Sequence, residues 1–223
     1  MQKRQILINA GMSVVQILVA TGAFLYLYRF LLTTIGVEGL GIWSLVLAST
    51  SISQVANMGI SGGVVKFVAK YFAREERENL HGVIQTACWS LTIVAGLALI
   101  IAYPLCSLGL SYVMPATRLP AALAILPYAL LAVWITMSGS IFQSSLEGFQ
   151  RNDLASISQV AGNLMYLALC LLMVGRLGLG LIGLAWARVL LSLFLILLNY
   201  HFLKKCLPSF SFLPLRWEKR LFK

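Results

Sequence analysis

Residues 179–198 read LGLIGLAWARVLLSLFLILL, a run in which Arg188 is the only charged side chain. An α-helix rises about 1.5 Å per residue, so a run of this length covers the ~30 Å hydrocarbon layer of a bilayer. Five further apolar runs of similar length precede it, at 6–28, 40–60, 83–103, 121–142 and 154–174. The pattern predicts six membrane-spanning helices.

The composition of the whole chain agrees with this interpretation. Of 223 residues, 60% are hydrophobic and 11% are charged, and the mean hydropathy is +0.88. A soluble domain carries about 25% charged residues because its surface must be solvated. The composition therefore excludes a soluble domain and a disordered chain, and it predicts an all-α polytopic membrane protein, a six-helix bundle.

The predicted loops between the spans are 33–39, 66–82, 104–120, 143–153 and 175–178, and the basic residues are distributed unevenly over them. The formal net charge is +10, and short loops rich in Lys and Arg remain in the cytoplasm. An N-in, C-in orientation leaves Arg29, Arg118 and Arg176 outside and Arg188 within the sixth span. The other thirteen of the 17 basic residues then lie inside: Lys3, Arg4, Lys66, Lys70, Arg74, Arg77, Arg151, Lys204, Lys205, Arg216, Lys219, Arg220 and Lys223. We therefore predict both termini in the cytoplasm of a cell inner-membrane protein, with no nucleic-acid partner.

Polar side chains recur on single faces of the predicted spans. In the second span they include Gln54 and Asn57, and Gln143 and Asn163 belong to stripes of the fourth and fifth spans. Polar groups in lipid must face protein or water. Two interpretations remain open at this stage. The stripes line a shared hydrated cavity, or they hydrogen-bond neighbouring helices.

Arg188 is the most informative of the polar positions. It lies ten residues after Gly178, about 15 Å of helical rise and near the middle of the bilayer. Asn163, on the preceding span, is expected at a similar depth. Burying an arginine at that depth costs at least about 2.5–3.5 kcal/mol. Arg188 is therefore either a structural arginine bonded to neighbouring helices or a cationic anchor for an anionic substrate.

The chain offers little for catalysis. It has one Asp, Asp153, and two His, His81 and His201, all predicted at the inner ends of helices or in loops. We find no paired carboxylates, metal-ligand spacing or nucleophile–base pair in the sequence. We therefore expect no enzymatic activity, no catalytic residue, no metal site and no cofactor.

Several segments in order along the chain resemble a known family of transporters. They are the polar opening from Lys3 to Asn9, RFLL at 29–32, GVEGLGIWSL at 36–45, NMGISGGVVKFVAK at 57–70 and SLEGFQR at 145–151. The sequence is similar to the N-terminal part of Wzx-type polysaccharide-biosynthesis flippases, which belong to the multidrug/oligosaccharidyl-lipid/polysaccharide (MOP) exporter superfamily. The resemblance covers the whole chain.

The resemblance implies one six-helix lobe of a two-lobed exporter that flips a polyprenyl-pyrophosphate-linked oligosaccharide by alternating access. Membrane lipids, a second six-helix lobe and polysaccharide assembly proteins are the implied partners. Residues 1–206 would form the lobe, and residues 207–223 would form a basic linker at a point of truncation. Arg188 would hold the pyrophosphate, with Lys66 at the inner mouth and Arg29 at the outer mouth.

Two alternatives remain beside this interpretation. A cation-coupled multidrug exporter of the same superfamily would rely on acidic residues, whereas the membrane interior predicted here is free of acids and contains Arg188. A membrane scaffold or assembly subunit would use the polar stripes only to bind partner helices.

The orientation can be tested with reporter fusions. We expect a reporter fused after Arg77 to lie in the cytoplasm and one fused after Arg118 to lie outside, because basic loops are retained on the inner side. A cytoplasm-active fluorescent protein and an externally active phosphatase provide opposite readouts at each site. An external Arg77 fusion would invalidate the orientation.

Overall fold

The computed structural model describes the backbone of residues 2–50, 52–208 and 210, and the side chains of residues 11–50, 59, 61–208 and 210. This part of the chain is helical, with no strand in the described ranges. The helices are α1 (Gln2–Thr34), α2 (Gly36–Thr50), α3 (Ile52–Ala73), α4 (Arg77–Val113), α5 (Leu119–Gly148), α6 (Asn152–Cys170) and α7 (Gly180–Cys206). Helix α6 continues as a π-helical turn over Leu171–Arg176.

The all-helical membrane architecture predicted from the sequence is confirmed. Within the described residues, five helices are long and apolar enough to cross a membrane: Gly11–Thr34, Arg77–Val113, Leu119–Gly148, Asn152–Arg176 and Gly180–Cys206. They correspond to the first and the third to sixth predicted spans. The chain is therefore a multi-pass membrane protein.

The second predicted span, residues 40–60, is divided between α2 and α3. Helix α2 has 15 residues and is about 22 Å long, which is shorter than the hydrocarbon layer. Helix α3 carries Lys66 and Lys70 in its second half, which lowers its hydropathy. A hydropathy window of about 19 residues averages over the polar residues at the junction, Ser49 to Gln54, and so does not reveal the division.

Three predicted connections are shorter than expected because the flanking helices extend into them. The predicted loop 66–82 reduces to residues 74–76, and the predicted segment 143–153 reduces to residues 149–151. The predicted turn at 104–120 is wrong in its first half, since Pro104 lies inside α4 and the connection is residues 114–118. In an apolar layer a helix keeps its backbone hydrogen bonds, and the one bond lost at a proline is tolerated.

Helix α5 lies at the centre of the bundle. It packs against α7, α4, α3 and α2, while α1 packs mainly on α6. Two buried apolar clusters lie along the bundle. One includes Leu31, Trp43 and Leu126. The other includes Ile84, Phe142 and Leu203 and lies at the end that carries the turns 74–76 and 149–151, which we call the basic end.

Glycines set the approach of α7 to its neighbours. A Cβ added at Gly139 of α5 would overlap Ile196 Cγ1, and one at Gly162 of α6 would lie 2.8 Å from Leu195 Cδ2. Small residues at such crossings let helices pack closely in lipid, where no hydrophobic force drives the helices together. The α5–α7 and α6–α7 contacts therefore depend on these two glycines.

Gly139→Ala should destabilise the bundle by about 1–3 kcal/mol, because the added methyl group overpacks the α5–α7 contact. Adding Ile196→Ala to this variant should recover part of the loss, since it removes the overlapping atoms. Gly109→Ala is the matched control, because nothing lies within 4 Å of a Cβ at that helical position. Thermal unfolding of the purified protein in detergent measures all three, and an unchanged midpoint for Gly139→Ala would contradict the packing argument.

Candidate functional site

Helices α1 and α6 border two adjoining cavities in the bundle. The first, here the Arg188 cavity, has a volume of about 320 Å³ and includes Ala20 of α1, Asn163 of α6 and Arg188 of α7. The second, here the amide cleft, has a volume of about 440 Å³ and includes Gln16 of α1 and Gln159 of α6. Four residues separate each pair on the same helix, which is one helical turn or about 6 Å. The two cavities are therefore neighbours along α1 and α6.

The walls of the Arg188 cavity are mainly apolar and aromatic. Its polar groups are few, and among the described lining residues the guanidinium of Arg188 is the only charge. The lining consists of Ala20, Ala23, Phe24, Leu27, Tyr28, Leu31, Leu40, Trp43, Ser44, Leu47, Asn163, Tyr166, Leu167 and Arg188. Such a lining suits an amphiphilic ligand with one anionic group.

The guanidinium of Arg188 lies over an aromatic ring. Its Cζ atom is 5.6 Å from the centroid of the Tyr166 ring, a cation–π geometry. Within the described residues, no carboxylate forms an ion pair with it. The positive charge is therefore only partly compensated, and its donors remain suited to bind a bidentate anion.

The backbone around Arg188 is held by the α5–α7 contact. Ser192 Oγ donates to the Arg188 carbonyl at 2.9 Å and contacts the Ala132 carbonyl of α5 at 3.2 Å. The hydroxyls of Ser192 and Thr136 are 2.9 Å apart. These bonds fix the rotation of α7 and so direct Arg188 into its cavity.

The amide cleft differs in character, because seven of its nine lining residues are polar. They are Ser13, Gln16, Gln143, Glu147, Asn152, Ser156 and Gln159, and the other two are Val65 and Ala155. Gln159 Nε2 donates to Gln143 Oε1 at 2.8 Å, and Gln143 Nε2 donates to Glu147 Oε1 at 3.2 Å. The network joins α6 to α5 across the cleft.

The predicted site residues fall into four groups. Asn163 and Arg188 come together in the Arg188 cavity, whereas Gln143 belongs to the amide cleft. Arg29 and Lys66 are exposed and line neither cavity, although each follows a residue that lines one, Tyr28 and Val65. Gln54 and Asn57 belong to α3, and their side chains lie outside the described residues.

Glu147 is the acidic residue of the amide cleft. It lies in the last turn of α5 and lines the amide cleft. The sequence pattern ended the apolar run of the fourth span at residue 142 but placed Glu147 on the polar stripe that continues from that span. The signal was present in the spacing of Gln143 and Glu147, which places both on one helical face.

The aromatic wall of the Arg188 cavity was also missed. Trp43 is buried and lies with Tyr28 and Tyr166 around the cavity. In a chain this apolar, aromatic residues inside spans carry no distinguishing pattern, because they resemble ordinary packing residues. Only the meeting of α1, α2 and α6 identifies them as cavity residues.

An ion pair lies at the turn between α5 and α6, on either side of the cleft residue Asn152. Arg151 donates through Nε to Asp153 Oδ1 at 3.0 Å and through Nη2 to Asp153 Oδ2 at 3.1 Å. The hydrogen bond to this carboxylate raises the pKa of Arg151 above its ordinary value. Arg151 is thus held at the turn between α5 and α6 and stays charged.

Cysteine labelling tests whether the cavities are hydrated. In a background without the four native cysteines, we expect a water-soluble maleimide to label Ser13→Cys and Ser44→Cys, because both serines are exposed and line the two cavities. Ser145→Cys and Ser158→Cys are buried controls, each 0% exposed. Equal, slow labelling of all four variants would indicate packed helix interfaces instead.

Comparisons of the fold identify similar transporters. The structure of a multidrug resistance MATE family transporter of the MOP superfamily, in an outward-facing conformation, matches with a TM-score of 0.79 and 18% identity over 99% of this chain and 48% of that one. A MATE protein in complex with MaD3S matches with a TM-score of 0.77 and 17% identity, covering 99% and 49% of the two chains.

A MOP superfamily transporter from Pyrococcus furiosus, described as having a binding pocket of reverse polarity, gives a TM-score of 0.73 and 16% identity over 98% of this chain and 46% of that one. The chain thus spans about half the length of the solved transporters that it matches. These similarities establish the fold.

Comparison of the sequence with known families identifies the family of the chain. No curated protein matches the chain. A family model described as "Polysaccharide biosynthesis protein" matches residues 3–223. As the resemblance predicted, the chain belongs to the polysaccharide biosynthesis protein family and has the fold of one half of a MOP superfamily transporter.

Proposed function

We propose that this chain forms one lobe of an exporter that flips a polyprenyl-pyrophosphate-linked oligosaccharide across the membrane for surface polysaccharide biosynthesis. Membership of the polysaccharide biosynthesis family and the MOP transporter fold support the exporter class. A second six-helix lobe would complete the translocation path and allow alternating access. Membrane lipids surround the lobe, and polysaccharide assembly proteins are its proposed partners.

The observation that carries the proposal is the incompletely paired guanidinium of Arg188 in an aromatic cavity. A planar guanidinium forms two parallel hydrogen bonds to a phosphate group, and this geometry is most valuable where water is excluded. In the proposed mechanism Arg188 holds the pyrophosphate, and Asn163 adds an amide donor from the opposite wall. The apolar walls accept the first isoprene units of the carrier.

The remaining predicted site residues act at the entrances in this proposal. Lys66, towards the basic end, and Arg29, towards the opposite end, attract the anionic headgroup without desolvating it. Gln54, Asn57 and Gln143 would hydrogen-bond sugar hydroxyls. The domain division predicted from the sequence, a lobe over 1–206 and a basic linker over 207–223, belongs to the same proposal.

A multidrug exporter is the competing function, because solved MATE structures share the fold and Glu147 lies in the amide cleft. At 18% identity the shared fold does not carry the substrate. A cationic drug in the Arg188 cavity would meet an incompletely paired positive charge, which disfavours it. Drug-resistance assays on the full-length protein would reveal this activity if it existed.

Substitutions of Arg188 test the proposed role. Arg188→Ala should reduce export roughly thirty-fold or more, since truncating one partner of a buried charged pair costs about 2–5 kcal/mol. Arg188→Lys should be impaired less severely, because the charge remains but the bidentate geometry is lost. Lys66→Arg should be tolerated at an exposed position that needs charge alone.

The measurement is complementation of surface-polysaccharide export by the full-length protein, with membrane abundance determined in parallel. Arg176→Ala is the matched control, because Arg176 is an exposed arginine that lines neither cavity. Normal export by Arg188→Ala at normal abundance would mean that Arg188 does not bind the substrate and has at most a structural role. The substrate proposal would then rest on the family relationship alone.

A further inference from the structure

The amide cleft has the chemistry of a carbohydrate subsite. Its lining presents carboxamides, hydroxyls and one carboxylate, which provide both donors and acceptors at short spacing. A sugar ring presents hydroxyl groups that both donate and accept. The volume of about 440 Å³ falls within the range of roughly 300–1,000 Å³ typical of small-ligand sites.

The hydrogen-bond network holds the lining in place while leaving binding groups unused. Gln159 donates to Gln143, which donates to Glu147 Oε1. Within the described residues, these bonds leave Gln159 Oε1 and Glu147 Oε2 as acceptors directed by two different helices. Side chains that are already oriented lose less conformational entropy when a ligand binds.

The position of the cleft relates it to the Arg188 cavity. The lining residues Gln16 and Gln159 lie one helical turn, about 6 Å, from Ala20 and Asn163 of the neighbouring cavity. In a lipid-linked oligosaccharide the first sugar is bonded directly to the pyrophosphate. A pyrophosphate held by Arg188 therefore puts the first sugar within reach of the amide cleft.

The charge of the cleft restricts which sugar it accepts. Among the described lining residues, Glu147 is the only ionisable group. Lys66 follows the lining residue Val65 but is itself exposed, and Arg151 is paired with Asp153. A carboxylate facing a partly enclosed cleft repels an acidic sugar and accepts hydrogen bonds from hydroxyl or amide groups.

We infer that the amide cleft is the subsite for the first sugar of the carrier-linked oligosaccharide, and that Glu147 selects an uncharged sugar and rejects a uronic acid. This inference rests on the proposed function, since the carrier must first occupy the Arg188 cavity. It adds a second subsite and a charge preference to that function. Glu147 acts as a specificity residue that touches the substrate.

The experiment uses two cysteine reporters in the full-length protein, reconstituted in nanodiscs without native cysteines. Ser44→Cys reports on the Arg188 cavity and Ser13→Cys reports on the amide cleft. Three synthetic probes share one short polyprenyl pyrophosphate and carry no sugar, N-acetylglucosamine or glucuronic acid. The readout is the rate of maleimide labelling, and thermal unfolding of each reconstituted variant shows that it is folded.

We expect all three probes to protect Ser44→Cys, and only the N-acetylglucosamine probe to protect Ser13→Cys. At ten times its Kd a bound probe slows labelling about tenfold. Probe concentrations are chosen so that Ser44→Cys is protected equally. Adding Glu147→Gln should allow the glucuronic acid probe to protect Ser13→Cys as well. Glu75 is an exposed glutamate outside both cavities, so the control substitution Glu75→Gln should leave the protection pattern unchanged.

The outcomes distinguish the inferred sugar subsite from the proposed function on which it rests. Protection of Ser44→Cys without protection of Ser13→Cys by any sugar would overturn the subsite and leave the proposed function intact. No protection of either reporter would overturn both. Protection of Ser13→Cys by the sugar-free probe would assign the cleft to the carrier, and protection by sodium chloride alone would assign it to a cation. Each of these two results contradicts a sugar subsite.

Discussion

Helix α7 approaches α5 closely because Gly139 presents no side chain to Ile196, and the remaining architecture depends on this contact. Where both helices meet, Ser192 bonds to the Ala132 carbonyl and lies 2.9 Å from the Thr136 hydroxyl. In lipid, close packing and such polar contacts replace the hydrophobic force that associates helices in water. The same contact orients α7 about its axis. It therefore decides that Arg188 faces a cavity instead of the lipid.

The two cavities divide the chemistry of an amphiphilic ligand between neighbouring turns of α1 and α6. One has aromatic and aliphatic walls and a single cation, Arg188. The other is lined by amides, hydroxyls and Glu147. In the proposed function, Arg188 would hold the anionic end of the ligand and the amide cleft would hold the neutral, hydroxylated part beside it. A purely cationic or purely apolar molecule would satisfy only one of the two.

Much of the fold could be predicted from hydropathy, and the errors have a common cause. The apolar runs located the long helices, since a lipid-facing helix needs a continuous apolar surface. Pro104, the charged residues before Gly82 and the polar residues after Phe142 were interpreted as loops because such residues usually end helices. In the structure the helices continue into all three, and the connections that remain are residues 74–76, 114–118 and 149–151. Where helices extend beyond the apolar layer, their ends consist of polar residues that are still helical. Hydropathy alone does not distinguish such polar helix ends from loops.

The sequence by itself determined the membrane class, the number of long apolar helices, the imbalance of basic residues and the family. It also singled out Arg188 and Asn163, because a charge and an amide inside apolar runs stand out without any knowledge of packing. Only the tertiary structure decided which polar stripes meet, since that depends on the rotation of each helix about its axis. Spacing along one helix defines a face but not the neighbour that the face contacts. The division of the polar residues into an Arg188 cavity and an amide cleft therefore came from helix packing, as did the exposed positions of Arg29 and Lys66.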